Sequence, residues 1–538
     1  MSLATTVSET VAFARFLGGL PAFLRTRLSP EEAEAITATL LRERATNFLA
    51  TLDHGIFRNP RSAYRPMFAL AGITQEDVSA WVTDIGLEAT LHRLRDAGVH
   101  ATFEEFKGRV PIVRGGRELP LDPLGFDAPA VRGYYTTSSG GSTGRARRVR
   151  LDLQHLRNSM PRQLLLHRAE GGPQVPRIVW LDLPPAPGLN WVLRAAAVGE
   201  TPATWYTSVW GGAGTARRFQ WSAQATVLVA HLSGRPIASP TYLPLDRADT
   251  VAHRTRQLLE QHGACIVSAG VSRLVRVALA ARAAGLDLSG ALFSGGGEPP
   301  TPAKVAEIEA CGATFTSAYH LSEAGWVGRH CTTATDPNDQ HVMLDHLAVI
   351  QVPQAVPGFD RTVNALCYTS LLPSAPKLLL NFESDDYGVV ETRDCTCPWG
   401  ALGFTTHVRD IRSYRKLTGE GLTLVGSDIV RIIEEDLPRA HGGSSLDYQL
   451  MEEEGEHGLT RFVLLVDPAV PLTDPVAVGQ TFLTAIAAMG AEAGHAHAIL
   501  SQPDVLTVRR TAPHWTGRGK LLPLHLERHP ETRTGAVS

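Results

Sequence analysis

The sequence predicts an α/β protein with more than one domain. Three observations carry this. Between residues 151 and 300 short β-rich runs alternate with helical patterns, the signature of layered α/β architecture. After about residue 408 the composition changes, and a second, smaller α/β segment runs to about residue 525. A chain of 538 residues also exceeds what one hydrophobic core usually organises.

Residues 7–130 read mainly as helix. Ser29-Pro30-Glu31-Glu32 is a capped start with proline at the first helical position, and Leu40, Leu41 and Phe48 follow at helical spacing. Residues 73–77 repeat that kind of start. This part has no chemical motif, and its charges are expected to form a solvated face. Residues 102–117 suggest a helix end and a short strand, and residues 131–137 a further β-like run. Downstream, residues 178–181, 225–229, 265–268, 291–294 and 314–318 are strand candidates, and residues 272–284 a helix. The strand at 291–294 ends in Gly295-Gly296-Gly297-Glu298-Pro299, and a helix then starts at Thr301-Pro302. The strand at 314–318 leads into Tyr319-His320-Leu321-Ser322-Glu323. Residues 378–382 suggest a strand leading into Glu383-Ser384-Asp385-Asp386-Tyr387. Residues 442–445 and 452–458 read as turns, and 527–538 as a polar tail.

Apolar residues make up 43% of the chain and charged residues 20%, with a net charge of −3. That balance supports neither nucleic-acid binding nor attraction to an anionic membrane, so the arginines 147, 148 and 150 are better matched to a small anion. Glu9 precedes the N-terminal apolar stretch and Arg15 interrupts it, unlike a secretory signal. No uncharged run approaches the roughly 18 residues of a membrane span. A cytoplasmic location is the expectation. Six cysteines in so long a chain are not a disulfide framework, so their clustering points to metal or catalysis.

The most distinctive stretch is Ser138-Ser139-Gly140-Gly141-Ser142-Thr143-Gly144-Arg145. Its glycines allow close backbone approach to an anion, its hydroxyls and N–H groups can donate to phosphate oxygens, and Arg145 adds a charged donor. Joined to Tyr319-x-x-Ser322-Glu323, to an aspartate after a strand, and to Thr516-Gly517-Arg518-Gly519-Lys520, it resembles the motif order of the adenylate-forming superfamily. That superfamily includes acyl-CoA synthetases, peptide-synthetase adenylation domains and luciferase, and the phenylacetate-CoA ligase-like branch is the nearest look. The resemblance covers roughly residues 131–525. The sequence has no G-x-x-x-x-G-K-[ST], which argues against an ordinary P-loop phosphotransferase.

The resemblance implies a two-domain fold, a large domain over residues 1–408 with residues 1–130 as a helical extension, and a small domain over 409–538. It implies ATP and Mg²⁺ as cofactors and a small-molecule carboxylic acid, aryl or arylacetic, as substrate. Coenzyme A is the first expected acceptor. An amine, a carrier thiol, nitrite as the activated group, or a non-catalytic adenylate-binding protein are the alternatives. By matching motifs, Ser139, Gly140, Gly141, Ser142, Thr143, Gly144 and Arg145 would hold the β- and γ-phosphates. Gly295, Gly296, Gly297, Glu298, Pro299 and Tyr319 would flank the adenine. Ser322 and Glu323 would lie by the α-phosphate, with Glu323 holding Mg²⁺. Asp386, or Asp385 beside it, would take the ribose hydroxyls, and Arg409 and Asp410 would mark the pivot. Lys520 would neutralise charge building on the α-phosphate and carboxylate oxygens, as in-line displacement at phosphorus requires.

Three departures stand out. Arg145-Ala146 replaces the common Lys-Pro, His320 replaces a glycine and can either titrate beside substrate or pack, and residues 416–421 match the hinge poorly. The acid pocket would draw on residues between about 180 and 325, where Trp180, Asn190, Trp191, Trp205, Tyr206 and Trp210 are conspicuous.

Cys395-Thr396-Cys397, with Cys331 and His341 upstream, offers three thiolates and an imidazole, the donor set of closed structural zinc. Members of the same branch look similar here. His346 and His330 are rival donors to His341. Cys265, Cys311 and Cys367 read as buried small hydrophobes.

Overall fold

The computed structural model describes residues 3–129, 131–138, 148–184, 186–210, 215–356, 362–413, 418–419, 422–423, 429–454, 460–472, 474–488, 500–501, 505–516 and 519–526. It divides into two compact units. The first comprises Met1–Gln354 and Val363–Ile411; the second comprises Ala355–Thr362 and Arg412–Ser538.

The first unit opens with helices. Ser29 accepts from the Glu32 N–H while the Glu32 carboxylate accepts from the Ser29 N–H, and Thr74 and Asp77 repeat that reciprocal cap. The helix Leu3–Leu24 is long and apolar enough, by length and composition, to cross a membrane over Val7–Leu24. Its Phe16, Leu20, Phe23 and Leu24 are buried against Tyr135, Val149, Val179 and Trp205. Its Glu9 pairs with Arg148 at 2.6 Å and Arg218 at 2.5 Å. Arg150 lies 3.5 Å from Asp127. Arg148 and Arg150, expected from the sequence to await a small anion, are therefore matched to carboxylates of the chain itself.

Strands β1 (Ile112–Arg114) and β2 (Arg117–Leu119) form one antiparallel pair, and β3 (Tyr134–Ser138) and β4 (Arg148–Asp152) another. Twelve strands then build one sheet. In chain order they are β5 (Arg177–Trp180), β6 (Thr204–Thr207), β7 (Pro240–Tyr242), β8 (Cys265–Gly270), β9 (Ala291–Gly296), β10 (Thr314–Leu321), β11 (Gly325–His330), β12 (Gln340–Val342), β13 (Leu347–Ala355), β14 (Thr362–Ser370), β15 (Phe382–Thr392) and β16 (Thr406–Ser413). Their spatial order is β13-β14-β15-β16-β12-β11-β10-β9-β8-β5-β6-β7. The run from β7 to β10 is parallel. The fully buried β5 and nearly buried β8 explain why Ile178-Val179-Trp180 and Cys265-Ile266-Val267 read as unbroken apolar runs. From β10 onward β11, β12 and β16 pair antiparallel.

Three sequence expectations are corrected. Residues 452–454, read as part of a turn, belong to the strand Tyr448–Glu454, where they pair with residues 460–462. Residues 225–229 lie inside the helix Thr215–Leu232, not in a strand. Ala223, Val227 and Ala230 face the core at helical spacing while Leu228 is exposed, so packing overrides the β-branched content. Residues 378–381 are not a strand either; the strand begins at Phe382 and contains the acidic run. Asn381 takes a positive φ of 47° and donates to the Leu91 and Val99 carbonyls, which ends the preceding irregular segment.

In the second unit β17 (Thr418–Gly419) pairs with β18 (Leu422–Thr423), and β19 (Tyr448–Glu454), β20 (Thr460–Val466), β21 (Leu506–Arg510) and β22 (Leu524–Leu526) form a sheet in the order β21-β20-β19-β22. The helix Pro475–Ala487 buries Val478, Phe482 and Ile486.

Gly188 opens the helix Gly188–Ala197 where a Cβ would stand 2.6 Å from the carbonyl oxygens of Leu181 and Asp182. Both are backbone atoms and cannot rotate away. Gly188→Ala is expected to lower stability by about 1–3 kcal/mol through overpacking, read as a shift in urea midpoint; an unchanged midpoint would disprove the close approach.

Candidate functional site

The site forms where β9 and β10 end. Their parallel register sets Ser317 opposite Gly295 and Ala318 opposite Gly296. At Gly295 a Cβ would stand 2.8 Å from the Phe315 ring, and Gly297 takes a φ of +84°, so the glycines are needed for close packing and for the turn. Glu298 is occupied elsewhere: the Ser272 N–H donates to its Oε1 at 2.8 Å and the Ser272 hydroxyl to its Oε2 at 2.5 Å. It caps the start of the helix Val271–Ala283. Pro299 is exposed.

Tyr319 and His320 lie within β10, and Ser322, Glu323 and Ala324 form the turn into β11. The Tyr319 hydroxyl donates to Asp386 Oδ2 at 2.5 Å, and the Tyr368 hydroxyl donates to Tyr319 at 3.0 Å. Burial first, then the Asp386 charge, hold the Tyr319 phenol protonated well above its usual range. Of the two aspartates left open by the sequence, Asp386 touches the tyrosine, while Asp385 sits in a left-handed backbone at φ 69°. His320 keeps an exposed surface although protein surrounds it, so it lines a cleft. Burial, with Arg329 and Arg194 nearby, pushes its imidazole well below the usual range, and it is neutral at neutral pH.

Glu323 is buried and paired with Lys107 Nζ at 2.7 Å. Lys107 ends the short helix Phe103–Lys107, set by a Thr102–Glu105 capping box, and lies over the Phe103 ring at 5.0 Å. Sequence reasoning assigned this region's charges to a solvated face. Lys107 on Glu323 and Arg95 on Glu383, at 3.1 Å, correct that. The only signal was Lys107 beside two phenylalanines, too weak to link it to a glutamate 216 residues away.

Ser139, Gly140, Gly141, Ser142, Thr143, Gly144 and Arg145 lie outside the described residues, as do Gly517 and Arg518. Arg409 bonds Asp410 Oδ2 at 2.8 Å, and Asp410 has a positive φ of 54°. In the second unit Lys520 is half-buried and closes a tight turn. Its N–H donates to Thr516 Oγ1 at 3.0 Å and its carbonyl accepts from the Thr516 N–H at 2.9 Å. Trp180 and Trp205 are wholly buried core residues. Trp180 Nε1 donates to Ser208 Oγ and Trp205 Nε1 to the Leu181 carbonyl.

The cysteine cluster assembles. Donor atoms of Cys331, His341, Cys395 and His407 all lie within 4.8 Å of one another. Cys397 Sγ is 2.9 Å from His341 Nε2, and the sulfurs of Cys331 and Cys395 are 3.4 Å apart. Four donors about 2.3 Å from a tetrahedral zinc stand about 3.8 Å from each other, so the set is of the right size. His341 Nδ1 faces the Phe404 carbonyl at 2.7 Å, leaving Nε2 for the cluster. His407 was not foreseen. Its Nδ1 faces Asp339 at 2.8 Å, and its Nε2 is buried with no hydrogen-bond partner, the carboxylate–histidine arrangement that orients a metal ligand. It stands opposite His341 across the β12–β16 pairing, a proximity that spacing alone does not reveal. The rivals His346 and His330 are not in the cluster; His346 faces Asp345 at 3.0 Å.

The fold defines a class: the chain has the α/β fold of the adenylate-forming ligases. Over 93% of this chain and 90% of the other, it is similar in structure to a 2-hydroxyisobutyryl-CoA ligase in the postadenylation state, with a TM-score of 0.50 at 13% identity. Two further solved structures align with lower scores. MatB from Rhodopseudomonas palustris, ATP bound, has a TM-score of 0.41 at 11% identity, over 89% of this chain and 91% of that one. The amide bond synthetase McbA from Marinactinospora thermotolerans has 0.37 at 13% identity, over 90% and 92%. No protein-family model and no curated protein sequence matches the chain.

Removing Lys107 leaves Glu323 buried without its cation. Lys107→Met is expected to cost about 3–5 kcal/mol, and the double variant Lys107→Met/Glu323→Gln to recover most of that loss. Equilibrium unfolding measures both; a loss below about 1 kcal/mol, the range of an exposed pair, would refute the buried pair.

Proposed function

We propose that this chain is an ATP-dependent, AMP-forming ligase that activates a carboxylic acid as its acyl-adenylate, releases pyrophosphate, and passes the acyl group to coenzyme A. The observation that carries this reading is the meeting of the glycine turn, the Tyr319–Asp386 pair and Glu323 where β9 and β10 end, with Asp386 reaching in from within β15. It is supported by a fold shared with a ligase caught after adenylation.

In this reading the Gly295–Gly297 turn admits the adenine, and Tyr319, its hydroxyl fixed on Asp386, presents a ring of set orientation for stacking. Asp386 is the carboxylate for the ribose hydroxyls. Glu323 exchanges Lys107 for Mg²⁺; when bound, that ion supplies positive charge to the phosphates. Ser139–Arg145 cradle the outer phosphates and Lys520 offsets charge developing at the α-phosphate, both by motif. The resemblance favours an aryl or arylacetic acid, although Trp180 and Trp205 lend no support, being core.

ATP–pyrophosphate exchange driven by added carboxylic acids tests the reading. Wild type is expected to exchange with at least one acid, and Glu323→Gln to exchange on the order of 100-fold more slowly. Tyr319→Phe should raise the KM for ATP more than it lowers kcat, because its hydroxyl orients the ring and Asp386. Absence of exchange with every acid, with ATP binding intact, would refute adenylation of a carboxylate.

The cysteine cluster is proposed to hold structural zinc, which when bound would tie the β11–β12 connection to the 395–397 segment. We expect about one zinc per chain by elemental analysis and a lower Tm on chelation. Replacement by Co²⁺ counts thiolates by charge-transfer absorption. Three place Cys397 in the set, and two place His407 there; a metal-free protein with unchanged Tm in chelator would end the proposal.

A further inference from the structure

Among the described residues five arginines are buried: Arg162, Arg177, Arg194, Arg273 and Arg329. Four have carboxylates. Arg162 pairs with Asp345, Arg177 with Glu170 at 2.8 Å, Arg273 with Asp182 at 2.5 Å, and Arg329 with Glu170 at 3.3 Å. Arg194 is 6% exposed and has no carboxylate partner among the described residues. Its Nε has no hydrogen-bond partner, and the nearest recorded ring is Trp326, 5.2 Å from Cζ. A buried cation with no counter-charge is costly, and a protein keeps one where something else brings the anion.

The groups around Arg194 include two donors in the same condition and one acceptor. The Tyr135 hydroxyl and Trp326 Nε1 are both buried without partners, and Asn190, one helical turn before Arg194, has a buried Oδ1 without one. Burial lowers Arg194 to about 10, so it stays charged at neutral pH. His155, lowered to about 3 by burial and then by Arg194, is neutral, as is His320. The imidazoles therefore add no second charge. The Trp326 ring lies edge-on to His320 at 5.6 Å, which sets Arg194 one ring behind the wall of the cleft beside the Ser322–Glu323 turn.

Building on the proposed adenylation, we infer that Arg194 receives a second carboxylate of the substrate, with Tyr135 and Trp326 as neutral donors: the acid activated is a dicarboxylic acid. One carboxylate oxygen attacks the α-phosphorus and expels pyrophosphate; the carboxylate on Arg194 is unchanged and fixes which end reacts. A monocarboxylic acid of equal length would leave Arg194 and both donors unmatched.

The test pairs acids of equal carbon count, succinate with butyrate, glutarate with valerate, and phthalate with o-toluate. Binding to the full chain is read by calorimetry without ATP, and exchange is read separately. At least one diacid should bind on the order of tenfold or more tighter than its partner. Arg194→Met should bring the two within about twofold, with a Tm at or above that of unliganded wild type, since an unmatched charge is removed. Should that variant not fold, Tyr135→Phe decides, and should cut the preference at least about threefold. A preference for monoacids, or one that survives in the variants, overturns the inference. So does equal loss of mono- and diacid binding in Arg194→Met, which would assign the arginine to the reacting carboxylate. Diacid binding without exchange upholds the Arg194 pocket and rejects adenylation; exchange with monoacids alone does the reverse.

Discussion

The parallel pairing of β9 with β10 is the constraint on which the candidate site hangs. It delivers two strand ends side by side, one finishing in three glycines and the other in Tyr319 and His320. Parallel strands need long crossovers, so their ends are free of tight hairpins and open a crevice, which is where α/β sheets generally bind ligands. Here the sheet changes character at the same place: β10 is parallel to β9 but antiparallel to β11. The short turn that this reversal demands carries Ser322 and Glu323, and a register shift between Tyr319 and His320 re-aims the side chains just before it. The site is thus a consequence of where the sheet switches from one pairing to the other.

The residues brought there are held by partners from distant segments. Glu323 is met by Lys107 from the N-terminal helices, and Lys377 by Asp127. Asn381 bonds carbonyls at Leu91 and Val99, and the Tyr64 hydroxyl accepts from the Leu380 N–H. The helical N-terminal part is therefore a wall of the large unit, with buried charge on its inner side.

Much of the α/β layering was legible because its signals are local. A fully buried strand reads as a continuous apolar run, a capping box lies within four residues, and glycine before a helix marks a turn. The reading failed where tertiary packing outweighed local preference: residues 225–229 look like a strand but obey helical burial, and the acidic run at 383–387 looks like a loop but is strand. The candidate site divides in the same way. Tyr319, Glu323, Asp386 and Cys331, His341, Cys395 and Cys397 stand in recognisable spacings. Lys107, His407 and Arg194 do not, since each acquires its meaning only from a neighbour far away in sequence, Glu323, His341 and Trp326 respectively.

Charge accounting separates structure from chemistry in this molecule. The buried acids and bases of the large unit are mostly matched: Arg162 with Asp345, Arg177 and Arg329 with Glu170, Arg273 with Asp182. Such pairs are close to neutral for stability, and their worth lies in holding one arrangement of strands and helices. Against that background the Lys107–Glu323 pair beside the glycine turn and a cation without a carboxylate stand out. Glu323 already has a cation in Lys107, which keeps it from being a bare buried carboxylate. Arg194 is the converse, a cation without its acid, on the far side of His320 and Trp326. One buried acid with its cation and one buried cation without an acid thus stand within the same unit, and only the second leaves a charge for something outside the chain to match.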